Sequence, residues 1–433
     1  MLTGAAAMAT GAALGGVLSG CGTESGSGGG EPSSPAKTGG EVTWSSPGNP
    51  GEAARLREYS SDYQAEYGTK ITWQQTVGDY QTKILTQLVG GAAPDAFYVF
   101  DTQMVKMTDT GKLVDLRPYL ERPDAAVKQD EFYPKLTEWM APRTGEGVYG
   151  LVVDCNPKVF WFNQDLLAEA GVSQDPAAAF EAGSWNQNAV TDLLTKVKAT
   201  GKRGHVFEAT WFDLASWITT FGGTAFDEDG KAVFDTDPKA LATLEWLFDQ
   251  MASGNISYGG SLPKGQGSDA LFYGGQLASL GYGRWVLPNL TKLKFRYDIA
   301  PLPSESGRDV APVGVYCAAM SVNKSAKDSE AAQQFAARFC SVDGARARLS
   351  NGGNAVPAIK GLDDIATENS VPPHGAVFNQ AVANGYAVPQ VLARHPELAA
   401  ELPITMDTLI KSGKETAKSF AEKLADMINT AKV

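Results

Sequence analysis

The chain has 433 residues, 43% of them hydrophobic, and a formal net charge of -12 at pH 7. This length predicts two or three domains. The negative charge is spread along the chain, which argues against nucleic acid or an anionic membrane surface as a partner. The only histidines are His205, His374 and His395, so we expect no histidine-based metal site and no cofactor.

The first twenty residues carry no charged side chain and are rich in glycine and alanine. Such a segment is typical of an export signal. A transmembrane helix is disfavoured, because the run is short of the ~20 strongly apolar residues that span a bilayer. The tetrapeptide that ends at Cys21 resembles the bacterial lipobox, whose cysteine carries a lipid. We therefore predict a signal peptide over 1–20, a lipid anchor at Cys21 and a flexible tether over 21–40.

The next segment predicts a β-α-β-α-β order, with strands at 41–46, 70–77 and 96–100. Short turns between these elements are typical of a parallel sheet with helices packed on it. In such sheets ligands bind beyond the carboxyl ends of the strands. This rule points to the loops that contain Asn49, Asp79 and Asp101.

Two apolar runs, Val148–Val153 and Val159–Phe162, flank the residues Asp154–Pro157, which break any helix. We interpret this stretch as the chain crossing from one α/β lobe to another, with Asp154 at the seam. Further crossings are expected in 313–320 and 351–357, beside the first in 148–156. Lobe 1 then holds 41–153 and 321–350, and lobe 2 holds 154–312 and 357–433. Three crossings favour a hinge.

The chain resembles the extracellular solute-binding proteins of bacterial ABC importers, in the sugar-binding branch akin to maltose-binding protein. The resemblance rests on the number and order of short motifs from about residue 41 onward. The motifs are Asp79–Lys83, Gly91–Asp95, Gly111–Leu116, Tyr149–Leu151, Phe162–Leu167, Phe272–Gln276, Gly281–Trp285 and Gly314–Lys324.

This resemblance implies an α/β fold of two lobes, of the periplasmic-binding-protein type (type II), in which each lobe is a mixed sheet flanked by helices. It implies a carbohydrate ligand, ABC permease subunits as membrane partners, and a lipid-anchored location on the outer face of the bacterial cell membrane. We expect a monomer.

Sugar binding requires carboxylates or amides for the hydroxyls and aromatic faces for the C–H patches. Trp285 matches the aromatic residue of the family's Gly-x-Trp turn, which stacks on the ligand. Asp79 as a helix cap, Asp154 as a hinge contact, and one of Trp211 and Trp217 as a core residue remain open alternatives. The candidate ligand-binding residues are Asn49, Asp79, Asp101, Asp154, Trp211, Trp217, Tyr282, Arg284, Trp285 and Tyr316.

The function we predict is binding without turnover. An exported carbohydrate-processing enzyme is the first alternative, and it needs two carboxylates across a cleft, for which Asp101 and Asp154 are available. A sensory solute receptor on the same fold is the second. Beyond Cys21, a bridge between Cys155 and Cys317 is conceivable outside the cell, but we expect these cysteines and Cys340 to be buried free thiols.

Overall fold

Two β-sheets organise the part of the chain that the computed structural model describes, which is residues 39–48, 52–143, 145–263 and 266–431. Asn49 and Cys21 lie outside the described residues. The strands are β1 Glu41–Ser46, β2 Lys70–Gln75, β3 Ala96–Phe100, β4 Leu151–Pro157, β5 Val159–Asn163, β6 His205–Phe207, β7 Ile256–Tyr258, β8 Ser279–Tyr282, β9 Tyr297–Ala300 and β10 Val315–Val322.

Helices pack around these sheets. They are α1 Ala53–Tyr67, α2 Tyr80–Gly90, α3 Met104–Asp109, α4 Arg117–Leu120, α5 Gln164–Glu169, α6 Pro176–Glu181, α7 Gln187–Ala199, α8 Trp211–Thr220, α9 Pro238–Ser253, α10 Ser268–Tyr273, α11 Leu287–Leu290, α12 Ser329–Phe339, α13 Val342–Leu349, α14 Asp364–Thr367, α15 Ala376–Asn384, α16 Gln390–Arg394, α17 Pro396–Ser412 and α18 Ala417–Thr430. Short 3-10 turns lie at Gln129–Glu131, Pro134–Leu136, Glu138–Met140, Gly259–Ser261, Arg284–Val286 and Glu368–Ser370. Among the described residues, no helix is both long and apolar enough to cross a bilayer.

The first sheet has the strand order β2-β1-β3-β10-β4. β1 pairs in parallel with both β2 and β3, as the β-α-β-α-β pattern predicts. β10 is antiparallel to β3 and to β4, so the sheet is mixed. Trp44 on β1 is fully buried in the core under this sheet, and its indole N–H donates to Ser60 Oγ at 3.2 Å. The carboxyl ends of β1, β2 and β3 therefore lie along one edge.

The first crossing differs from the prediction in its boundaries. The residues that were expected to interrupt the strand, Asp154–Pro157, continue β4, because β10 pairs with them up to the pair Val315–Pro157. Pairing with the neighbouring strand β10 here outweighs the low intrinsic β propensity of Asp, Asn and Pro. Pro157 is tolerated as the last residue of β4, where no ladder donor is required.

The second sheet is built on β5, which is flanked by β8 and β9, both antiparallel to it. β6 and β7 form a parallel pair beside it. A parallel bridge between Arg203 and Leu277 joins the pair to β8, so this side also combines both strand directions.

The segment predicted as the third crossing lies against the one predicted as the first. Val356 exchanges two backbone hydrogen bonds of 2.9 Å with Cys155 on β4. Beyond it, Ile359 forms an antiparallel bridge with Phe132, so the chain still follows residues assigned to lobe 1 after 357. The division into lobe 1 and lobe 2 by residue number stays a prediction. Cys155, Cys317 and Cys340 are buried free thiols, as expected.

Candidate functional site

A cavity of about 810 Å³ lies at the edge where the first three parallel strands end. The turns that follow β1, β2 and β3 all contribute to it, as expected for the carboxyl ends of parallel strands. On this side it is lined by Pro47, Gly48, Glu52, Gln75, Thr76, Val77, Gly78, Tyr98, Phe100, Asp101 and Thr102. The remaining lining residues are Asp154, Asn156, Thr210, Trp211, Trp285, Tyr316, Cys317, Ala318, Asn354, Ala399, Leu402 and Pro403.

Three rings from three separate segments form what we call the aromatic wall, Trp211, Trp285 and Tyr316. The ring centroid of Tyr316 lies 5.5 Å from that of Trp211 and 5.9 Å from that of Trp285. Behind the wall, Phe212 stacks on Tyr316 with centroids 4.0 Å apart and planes 16° from parallel. The wall therefore presents a nearly continuous apolar surface of the kind that covers sugar C–H patches.

Local sequence explains how two of these rings reach the cavity. Thr210 caps α8, because its side-chain oxygen accepts from the backbone N–H of Asp213 at 3.1 Å, and Trp211 becomes the first helical residue. Trp285 folds back over the turn after β8. A Cβ atom at Gly283 would lie 2.3 Å from its ring, so only glycine permits this approach.

Four lining residues carry a buried polar atom that has no hydrogen-bond partner among the described residues. These atoms are Tyr98 Oη, Asp101 Oδ2, Asn156 Oδ1 and Trp211 Nε1. Buried polar groups in proteins are normally paired. A ligand that offers both hydroxyl donors and oxygen acceptors matches this set, since the carboxylate and amide oxygens accept and the indole N–H donates.

The charged groups at the cavity are acidic. Asp101 is 3% exposed, and burial raises its pKa to about 7. Burial also raises the pKa of Asp154, to about 6, although the guanidinium of Arg348 at 3.7 Å opposes this shift. No lysine or arginine is among the described lining residues. This composition disfavours anionic ligands.

Five of the predicted ligand-binding residues come together at the cavity. They are Asp101, Asp154, Trp211, Trp285 and Tyr316.

Four other predicted residues lie away from the cavity lining, each for a physical reason. Asp79 is exposed and caps α2 through the backbone N–H of Thr82. Trp217 is buried on α8, with its ring against those of His205 and Trp246.

Tyr282 stands behind Trp285, with ring centroids 5.3 Å apart, and its hydroxyl hydrogen-bonds Ser268 at 2.8 Å. Arg284 has 0% exposure, and its guanidinium donates to the carbonyls of Ala355 and Ile365. Through Ala355 it therefore hydrogen-bonds to the segment predicted as the third crossing, and it does not line the cavity.

Sequence reasoning missed several lining residues. Tyr98 lies within a predicted strand, which indicates a core position, and Asn156 lies in the stretch that was expected to separate two strands. Leu402 and Pro403 on α17 line the cavity from a helix far along the chain, and no local pattern signals that placement. The turn Thr76–Gly78 was recoverable, since it follows directly after a strand. Among the described residues, no group of three His, Cys, Asp or Glu side chains is arranged to hold a metal ion.

The sequence model of the family described as "Bacterial extracellular solute-binding protein" matches residues 48–339. The chain belongs to this family. The predicted family membership is thereby confirmed. The family and the solved structures below are binding proteins rather than enzymes, and an extracellular family indicates a location outside the cytoplasm.

Relatives extend this result. The arabinooligosaccharide-binding protein of Bacillus subtilis (strain 168) is 25% identical over 268 residues, which are 58% of this chain and 57% of the relative. The chain thus matches little more than half the length of this curated relative. An ABC substrate-binding protein from Listeria monocytogenes, solved in complex with cycloalternan, has a TM-score of 0.77 at 21% identity, covering 90% of this chain and 98% of that one. Maltose-bound MalE3 of T. maritima has a TM-score of 0.72 at 17% identity, covering 90% and 99%. At these identities the likeness shows the fold, and the predicted two-lobed α/β fold is confirmed.

Proposed function

We propose that this chain is the substrate-binding lipoprotein of an ABC importer, which captures a neutral mono- or oligosaccharide outside the cell and delivers it to a membrane permease. One observation carries the proposal. The aromatic wall lines a cavity, and four of the described lining residues carry a buried polar atom without a hydrogen-bond partner. Sugar rings present apolar C–H faces and hydroxyl edges together, which matches both kinds of surface.

The ligands of the relatives support the same class. The names of the matched proteins mention arabinooligosaccharide, cycloalternan and maltose. All of these are neutral saccharides of more than one unit. A cavity of about 810 Å³ is within the range of protein sites that enclose most of a small ligand's surface.

In the mechanism we propose, ligand binding stabilises a closed form. The strand-end groups belong to the first sheet, whereas Trp285 follows β8 of the second sheet and Trp211 begins α8. A saccharide therefore contacts both sets more fully when the lobes approach. The difference in contact between open and closed forms supplies the free energy of closure. β4 and β10 pair through this region and bend together. Small-angle scattering tests this step, and equal radii of gyration with and without a saturating sugar would overturn it.

We further propose binding without turnover. Of the two carboxylates available for glycoside chemistry, Asp154 is engaged by Arg348, whereas glycosidases need one carboxyl as acid and the other as base or nucleophile. Consumption of the bound saccharide over hours, followed by chromatography, would instead support the enzyme alternative.

The proposed lipid anchor at Cys21 and the monomeric state have separate tests. Cys21→Ala should move the protein from the membrane fraction to the culture supernatant, because two acyl chains provide stable anchoring. Light scattering of the purified protein should give the mass of one chain. The permease partners are to be sought by crosslinking to membrane proteins in the presence of the ligand.

A thermal-shift screen against saccharides, amino acids and short peptides tests the proposal itself. A ligand that binds only the folded state adds about 2.7 kcal/mol of stability at a hundredfold excess over Kd. We expect a shift with one class of neutral sugar, its loss in Trp285→Ala, and its retention in Trp217→Phe, which changes a buried tryptophan outside the cavity lining. A shift with amino acids or peptides alone would overturn the saccharide assignment.

A further inference from the structure

A buried lysine, Lys158, lies between the first crossing and the second sheet. It follows the last residue of β4 and precedes β5, and it is 1% exposed. Lysine is rarely fully buried without a partner. Removing its charge from water costs several kcal/mol unless close polar contacts compensate. Lys158 does not line the cavity, so ligand contact does not explain its burial.

The contacts of Lys158 reach all three segments that carry the aromatic wall. Its ammonium pairs with the carboxylate of Asp213 on α8, directly beyond Trp211 and Phe212. It also donates to the carbonyl of Gly281 at 2.6 Å, in the strand that leads to Trp285. Its backbone N–H donates to the carbonyl of Gly314 at 3.0 Å, two residues before Tyr316.

Asp213 extends this arrangement. It is 2% exposed, and its second oxygen accepts from the backbone N–H of Glu208. Asp213 therefore fixes both the loop before α8 and the first turn of the helix. The ammonium of Lys158 also lies 5.0 Å from the ring centroid of Phe212, the ring that stacks on Tyr316.

We propose that Lys158 is a positioning residue of the binding site, whose side chain holds the segments of Trp211 and Trp285 in place relative to each other and so raises ligand affinity without touching the ligand. This inference rests on the proposed saccharide-binding function. An apolar pair in place of a buried ion pair is often as stable or more stable, so stability alone does not account for these two residues. What an apolar pair lacks is the directional bonding of the Lys158 side chain to two separate segments, α8 and β8.

Two variants separate positioning from folding. Lys158→Met leaves the carboxylate of Asp213 buried without its cation, and we expect it to lower Tm. The double variant Lys158→Met with Asp213→Asn leaves neither charge, and the amide oxygen still accepts from Glu208. We expect the double variant to recover most of the lost Tm and yet to bind the sugar about tenfold more weakly than wild type, which corresponds to about 1.4 kcal/mol.

Asp298→Asn serves as the matched control. Asp298 is also buried, pairs with His374 at 2.6 Å, and lies on β9, away from the aromatic wall. We expect it to lower Tm with an unchanged Kd. A double variant with both wild-type Tm and wild-type Kd would overturn the positioning role, as would a control that weakens binding equally.

Near-ultraviolet circular dichroism of the ligand-free proteins provides a readout that does not depend on the sugar. Coupling among the stacked and edge-on rings contributes to this signal, so we expect it to change in the double variant and not in Asp298→Asn. If wild type binds no saccharide, the proposed function fails while this signal still decides the positioning role. An unchanged spectrum in the double variant would overturn that role.

Discussion

Two parts of the cavity lining differ in the chemistry of their side chains. The strand-end side consists of turns and contributes polar groups, among them Gln75, Thr76 and Asp101. Another part of the lining is the aromatic wall, in which Tyr316 contacts Trp211, Trp285 and the supporting ring of Phe212. The rings supply buried apolar area with little loss of side-chain entropy. The polar groups form hydrogen bonds only with ligand hydroxyls at suitable positions. We infer that the wall provides most of the affinity and the strand ends most of the discrimination.

The largest effect should come from removing a ring of the wall. Trp285→Ala removes the half-buried indole ring that lines the cavity at the turn after β8. We expect Kd to rise by at least about 30-fold, about 2 kcal/mol, as for an aromatic anchor. Isothermal titration calorimetry measures this. Trp217→Phe is the control. Comparable losses of affinity in both variants would mean that a ring of the wall contributes no more to binding than a buried tryptophan outside the lining.

A smaller loss of affinity, one that differs among sugars, should follow from Asp101→Asn at the strand ends. The variant keeps the size of the side chain and one acceptor, but removes the charge next to the unpaired Oδ2 atom. A hydrogen bond to a charged acceptor contributes about 1.5–3 kcal/mol, so Kd at pH 8 should rise about tenfold or more. Sugars that differ in one hydroxyl should lose their ranking. A uniform loss across all sugars would contradict the division of roles.

Asp101 also predicts a pH dependence of stability in the ligand-free protein. Its folded pKa of about 7 lies above the ordinary value near 4. Between these values the folded state binds more protons than the unfolded state, so stability falls as pH rises from 5 to 8. The slope from this group is at most about 1.4 kcal/mol per pH unit.

Urea unfolding at several pH values, with Asp101→Asn as the comparison, measures this slope. The neighbouring titratable groups Tyr98, Tyr316 and Cys317 are neutral across this range, because burial raises the pKa of each. Asp154 adds a contribution of the same sign centred near pH 6 or below. An identical slope in wild type and variant would show that Asp101 is not the titrating group.

The sequence predicted all three rings of the aromatic wall, whereas Asp101 is the one predicted ligand-binding residue among the described lining residues at the strand ends. β1, β2 and β3 are local patterns, and Asp101 follows a strand end, so its place at the cavity needed only the rule for parallel sheets. Which tryptophan of α8 faces the cavity depends on how the helix rotates against other segments. Trp211 and Trp217 are six residues apart on the same helix, about 120° apart around its axis, and tertiary packing decides which of them faces the cavity. Arg284 was misplaced for the same reason, since its carbonyl partners lie about seventy and eighty residues away.

The smallest effect should come from Tyr282→Phe, which distinguishes rings that touch the ligand from rings that support them. The ring would remain behind Trp285, and Ser268 and Glu208 would still hydrogen-bond each other. We expect Kd to change by less than about threefold, measured under the same conditions as Trp285→Ala. A loss as large as that of Trp285→Ala would mean that the Tyr282 hydroxyl network, and not the wall alone, determines affinity on that side.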